Sequence, residues 1–144
     1  MTDKLNLRHL IAAVEIQKLG SISKASERVH VSQSALTQGI HKLEKRLGFE
    51  LFSRFHDGLR PTAMGETFLL RARQALGYLT AMDAALPRQA RSPGTALARS
   101  LTSAQLRALV TVVDRGSYTL AARKLGLAQP SVHRAVKHVE AVCG

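Results

Sequence analysis

Ser21-Ile22-Ser23-Lys24-Ala25-Ser26-Glu27-Arg28-Val29-His30-Val31-Ser32-Gln33-Ser34-Ala35-Leu36-Thr37-Gln38-Gly39-Ile40 is the stretch that decides the fold. Ser21 or Ser23 is suited to cap a short helix whose inner face is Ala25 and Val29. His30-Val31 leaves room only for a tight turn. Ser32 then caps a further helix with Leu36, Ile40, Leu43 and Leu47 on its apolar face, and Gly48 stops it. Ser26 is small where the two helices pack closest. His30 holds the turn position that often needs positive φ, which His visits more readily than most residues. Helices joined by so short a turn have the spacing of a helix-turn-helix.

Leu7, Leu10, Ile11 and Val14 predict a preceding helix from about residue 5 to 18, ended by Gly20. After Gly48, Asp57-Gly58 is a hairpin signal between two short apolar-containing stretches, the position of a wing. Thr62 then caps a long helix over 63–86. Phe68, Ala72, Ala75, Leu79, Met82 and Leu86 follow heptad spacing along it, so this seam is expected to meet a second chain. Residues 87–100 hold two Pro and one Gly without periodicity and read as a linker.

Beyond the linker the chain repeats itself. Gly20-Ser21-Ile22-Ser23-Lys24-Ala25 returns as Gly116-Ser117-Tyr118-Thr119-Leu120-Ala121, and a constant offset of 96 positions also pairs Leu10 with Leu106, Gln33 with Gln129, Glu44 with Glu140 and Gly48 with Gly144. Two copies are too few for a stacked array, so they predict two similar small domains. In the second copy Gly126 takes the place of His30 and Ala128 that of the capping Ser32. The expected organisation is a winged helix-turn-helix over 1–61, a long helix over 62–86, the linker over 87–100, and a second helix-turn-helix over 101–144. That last copy stops before a wing, which suggests a piece of a longer polypeptide. The fold class is mainly α.

The net charge is +11, and all three segments of the chain contribute: ten Lys/Arg against six Asp/Glu in 1–61, five against two in 62–100, and six against two in 101–144. An evenly basic folded chain suits a long polyanion. With two Tyr, four Phe and no Trp there are few platforms for stacking unpaired bases, whereas a helix reading a duplex groove needs none. The single Cys143 excludes an intrachain disulfide and a multi-cysteine metal site, and falls where the first copy has Leu47, as a small buried hydrophobe would. Leu5–Val14 is interrupted by Asn6, Arg8 and His9, so no secretory core or membrane run is present and a cytoplasmic, nucleoid-associated protein is expected. No zinc-protease, Walker-type or nucleophile-elbow motif appears, and His133 and His138 are five apart, off a common helical face. No enzyme, cofactor or metal site is expected.

With Leu36, Ile40 and Leu43 turned inward, Gln33, Ser34, Thr37 and Gln38 face outward near the start of their helix. Gln pairs bidentately with adenine, and the hydroxyls bond bases or phosphate. Lys42 and Lys45 reach toward phosphate, and Arg54 and Arg60 sit where a wing offers cations to the backbone or minor groove.

Leu7-Arg8-His9-Leu10, Gly20-Ser21, Val31-Ser32-Gln33-Ser34-Ala35-Leu36-Thr37, Leu43-Glu44, Leu47-Gly48, Leu51-Phe52-Ser53-Arg54 and Pro61-Thr62-Ala63-Met64-Gly65 together resemble the N-terminal module of LysR-type transcriptional regulators. The resemblance covers the first 90 or so residues. It implies a winged helix-turn-helix that binds duplex DNA as a dimer through the long helix, with base reading by Gln33, Ser34, Thr37 and Gln38 and wing contact by Arg54. It also implies a small-molecule-sensing domain farther on, and hence an effector only where such a domain exists. The family commonly has Pro where this chain has Ser34 and often Arg near Gln38, so the preferred DNA sequence does not carry over. The second copy resembles the module more loosely, with Gln129, Pro130, His133 and Arg134 on the corresponding face. The leading expectation is a sequence-specific duplex-DNA-binding regulator, a homodimer or higher oligomer. The alternative is a regulatory scaffold in which only the first copy touches DNA. A polar, cationic outer face on the second copy's last helix favours DNA, whereas an apolar one favours packing.

Overall fold

The computed structural model describes residues 5–86 and 97–144. They divide into two compact units, one of Arg8–Tyr78, the other of the residues up to Leu7 together with Leu79–Gly144.

The first unit is built on α1 (Leu7–Leu19), α2 (Ile22–Val29) and α3 (Gln33–Leu47). Ser21 caps α2 by accepting from the Lys24 N–H at 3.4 Å, and Ser32 caps α3 by accepting from the Ala35 N–H at 3.2 Å. Between them His30 is left-handed at φ 57, and the Val31 N–H donates to the Ser26 carbonyl at 3.0 Å. That closes the turn. Ile16, Ala25, Leu36, Ile40 and Leu43 form the buried interior, which Leu51 and Leu69 complete at 0 % exposure.

The wing is a two-stranded antiparallel hairpin, β1 (Phe52–Phe55) and β2 (Gly58–Pro61). Its turn differs from the expected Asp57-Gly58: Phe55 pairs with Gly58, so His56 and Asp57 make the connection and Gly58 belongs to the strand. The glycine is needed there for closeness. It lies at φ 134, and a Cβ on it would come 2.5 Å from the Gly20 carbonyl oxygen, the same oxygen that accepts from the Leu59 N–H at 2.9 Å. At the hairpin's other end, Glu44 Oε1 on α3 accepts from the Leu51 N–H at 2.7 Å and the Leu51 carbonyl accepts from the Thr62 N–H at 2.9 Å. The wing is thus tied to the α1–α2 turn, to α3 and to the start of α4.

Helix α4 (Ala63–Ala85) begins where Thr62 Oγ1 accepts from the Gly65 N–H at 2.9 Å. The residues of the expected seam differ in exposure. Gly65, Leu69 and Ala72 are the buried residues in this helix, whereas Ala75 is exposed and Phe68 is half-buried, edge-on to Phe49 at 6.4 Å. In the second unit, Met82 and Leu86 pack against the cluster of Leu97, Leu101 and Val139. Leu79 is half-buried. Ala72, Met82 and Leu86 are thus used inside the chain, and the large outward apolar residues of α4 are Met64, Leu70 and Tyr78.

The expected linker is also shortened. Its residues 87–96 lie outside the described ones, but α5 (Leu97–Ser100) is a helical turn with Leu97 and Ala98 buried. Thr102 and Gln105 then form a reciprocal cap on α6 (Ser103–Arg115), followed by α7 (Tyr118–Leu125) and α8 (Gln129–Cys143). These helices have 13, 8 and 15 residues, as do α1, α2 and α3, each starting 96 positions later. Their core is Ala108, Ala121, Ala122, Val132 and Val136. Cys143 packs at the edge of the neighbouring Leu97–Leu101–Val139 cluster. No helix among the described residues is long and apolar enough to cross a membrane.

Candidate nucleic-acid interface

Helix α3 is two-sided. Leu36, Gly39, Ile40 and Leu43 are buried, and Gln33, Ser34, Thr37, Gln38, His41, Lys42, Lys45 and Arg46 are all exposed. The four residues expected to read bases therefore share one open face at the start of the helix, with Lys42 farther along. Three of them are steadied by neighbours: Gln33 Nε2 donates to Ser23 Oγ on α2 at 3.0 Å, Thr37 Oγ1 donates to the Gln33 carbonyl at 2.8 Å, and the Ser34 and Ser32 hydroxyls lie 3.2 Å apart. These single, exposed hydrogen bonds orient the side chains and are exchangeable for bonds to a ligand at small net cost.

His9 on α1 was not singled out as a site residue, yet it is part of this face. Its ring packs on α3 at Gly39, where a Cβ would approach His9 Cδ2 to 3.1 Å. Burial, with the charges of Lys42 and then Arg46 beside it, holds its imidazole below the ordinary histidine value. Since the folded unit resists this protonation more than the unfolded chain does, the neutral ring's contribution is complete above the ordinary value and is lost as pH falls through it toward the lowered one. Stability is expected to fall more gently with acid in His9→Gln than in the parent chain, read from urea midpoints between about pH 7 and 5. Identical pH profiles would remove His9 from the account.

The wing supplies a second cationic edge. It borders an open groove of about 610 Å³ with the α1–α2 turn, lined by Gly20, Ser21, Lys24, Arg54, Phe55 and Arg60 among others. Arg54 is exposed and has no ion-pair partner among the described residues. Arg60 is engaged: it pairs with Asp57 and lies 5.2 Å from the centre of the Phe55 ring. Lys24 was also unread, being ordinary in sequence and brought to the groove only by the hairpin's docking.

In the second copy Gln129, Pro130, His133 and Arg134 are likewise all exposed, above buried Val132 and Val136. Arg134 touches Ser131 Oγ at 3.4 Å, His133 lies 5.1 Å from the Tyr118 ring, and Lys137 pairs with Glu140 at 2.8 Å. Among the described residues no group of three or more His, Cys, Asp or Glu side chains is placed to hold a metal ion.

The profile of bacterial regulatory helix-turn-helix proteins of the lysR family matches residues 7–66 and again residues 103–144. The HTH-type transcriptional regulator GalR of Pseudomonas putida is 35 % identical over 142 residues, which cover 96 % of this chain and 34 % of that protein. The small neutral protease regulatory protein of Streptomyces coelicolor is 42 % identical over 93 residues, 65 % of this chain and 28 % of that one. The chain thus spans about a third of the length of these relatives. Among solved structures, a BenM DBD/benA site 1 DNA complex matches with a TM-score of 0.53 and 29 % identity, covering 56 % of this chain and 93 % of that one. CbnR, a LysR family transcriptional regulator, matches with a TM-score of 0.50 and 35 % identity over 51 % of this chain and 26 % of its own.

Proposed function

Because this chain belongs to the lysR family of bacterial regulatory helix-turn-helix proteins, we infer that it is the DNA-binding portion of a transcription regulator and reads duplex DNA with α3. The observation that carries this reading is the split character of that helix: an apolar underside locked into the core beneath an open polar face with cations beside it. Gln33, Ser34, Thr37 and Gln38 address base edges, and Lys42 and Arg54 address phosphates. Residues 1–61 are the reading domain, and α4 carries dimerisation. The relatives named above are regulators by name, and we place this chain in the cytoplasm, on the nucleoid, with no catalytic role.

Binding to duplex DNA should weaken steeply with salt, since each phosphate contact releases condensed counterions. Asp57→Asn frees Arg60 for a phosphate and should steepen the plot of log affinity against log salt by about one contact, at almost no cost in stability for an exposed pair. A fluorescence-anisotropy titration at several salt concentrations tests both. Salt-independent binding, or none to any duplex, would remove the proposal.

A further inference from the structure

We propose that the second copy is a second DNA-reading head, so that one chain addresses two separate sequence elements, α3 reading one and α8 the other. This rests on the function proposed above and extends it to a surface that is not needed for it.

The turn is reproduced bond for bond. The Gly126 N–H donates to the Arg123 carbonyl at 3.3 Å and the Leu127 N–H to the Ala122 carbonyl at 3.0 Å, matching His30 to Glu27 at 3.3 Å and Val31 to Ser26 at 3.0 Å. Gly126 is left-handed at φ 63, as His30 is at φ 57. So α8 stands on α7 as α3 stands on α2. The missing side-chain cap at Ala128 has not cost the helix its first turn, because Ser131 and Val132 both donate to the Ala128 carbonyl, at 3.0 and 3.3 Å.

Charge supports a polyanion. Helices α2 and α3 carry five Lys/Arg against two Glu, and α7 and α8 four against one, an excess of three in each pair. The acid of α2, Glu27, is replaced in α7 by Arg123. On the reading face Arg134 takes the place of Gln38, and a guanidinium fork pairs with guanine at O6 and N7. Its single exposed contact with Ser131 holds it only loosely. The two faces therefore differ in chemistry, and the heads should prefer different bases.

The second copy also bares Val110 and Val113 on α6, 56 % and 72 % exposed. These lie on the side of that helix away from core-facing Ala108, and Leu120 on α7 and Leu127 in the turn before α8 are exposed as well. A protein partner for that side is the competing outcome.

The test is selection of bound duplexes from a random pool with the whole chain, followed by footprinting of the selected sites. The parent chain should enrich two elements. Arg134→Ala should keep the first and lose preference at the second about tenfold. Arg134→Lys should retain the salt dependence and lose only part of that preference, since an ammonium keeps the charge without the planar fork, which separates base reading from simple charge. Unchanged helicity and melting temperature will show that both variants fold. Two elements that survive both changes, or a single element abolished by Gln33→Ala, would overturn this inference while leaving the α3 reading intact. Loss of a bound protein on Val113→Lys, with Arg134→Ala silent in selection, would likewise overturn it. Failure of the parent chain to bind any duplex would instead sink the function proposed above.

Discussion

Gly65→Ala should destabilise the Arg8–Tyr78 unit by about 3 kcal/mol or more, whereas Gly77→Ala, twelve residues along the same helix, should stabilise it by up to about 1 kcal/mol. A Cβ on Gly65 would lie 2.1 Å from the Leu51 carbonyl oxygen, and the obstructing atom is backbone. That carbonyl is held by the Thr62 N–H at 2.9 Å, and the Leu51 N–H by Glu44 at 2.7 Å, so it has nowhere to withdraw. Either the helix start lifts away and breaks those bonds, or Leu51 leaves a site where it is fully buried. A Cβ added at Gly77 would meet no atom within 4 Å beyond its own helix backbone, so only the helix propensity of alanine counts. Urea unfolding followed by circular dichroism decides the matter. Equal midpoints for the two variants would show that the wing does not press on α4 as described.

The largest effect on recognition is expected at Gln33. Gln33→Ala should cut discrimination between the preferred site and a single-base variant by roughly 5- to 150-fold, the range of one bidentate base contact. Lys42→Ala should instead weaken all duplexes alike and lower the salt dependence by about one contact. Gln33 is not a free rotor, since Ser23 holds its amide from α2 at 3.0 Å. Ser23→Ala should therefore lose part of the same discrimination by letting the amide swing. The check is a competition assay across a panel of duplexes. Selectivity left intact by Gln33→Ala would move base reading elsewhere on α3.

The helices and their turns were legible because each carries a local signal: Ser21 and Ser32 as caps, His30 in the left-handed position, Gly48 as a stop. The inward side of α4 was not. Phe68, Leu69 and Leu70 are adjacent and apolar, so periodicity alone allows more than one stripe, and only contact with Leu51 and the first core selects the one through Gly65, Leu69 and Ala72. Likewise Asp57-Gly58 carries a turn signature, yet Gly58 is required by the approach of Gly20, which is far off in sequence. On the candidate interface the outward residues followed from the helix period. His9 and Lys24 did not, because they belong to other elements and reach it through packing. Glu44 left a trace, as an acid among Lys42, Lys45 and Arg46, but the Leu51 N–H it receives was not legible.

The imidazole of His9, held below the ordinary histidine value by burial and then by Lys42 and Arg46, marks a patch where cations lie close together. Dissolved ions relieve that mutual repulsion, yet they also compete for the place a polyanion would take. Concentrated electrolyte should thus make the empty fold hardier and the occupied one looser, so the buffer best for storage would be the worst for detecting its ligand.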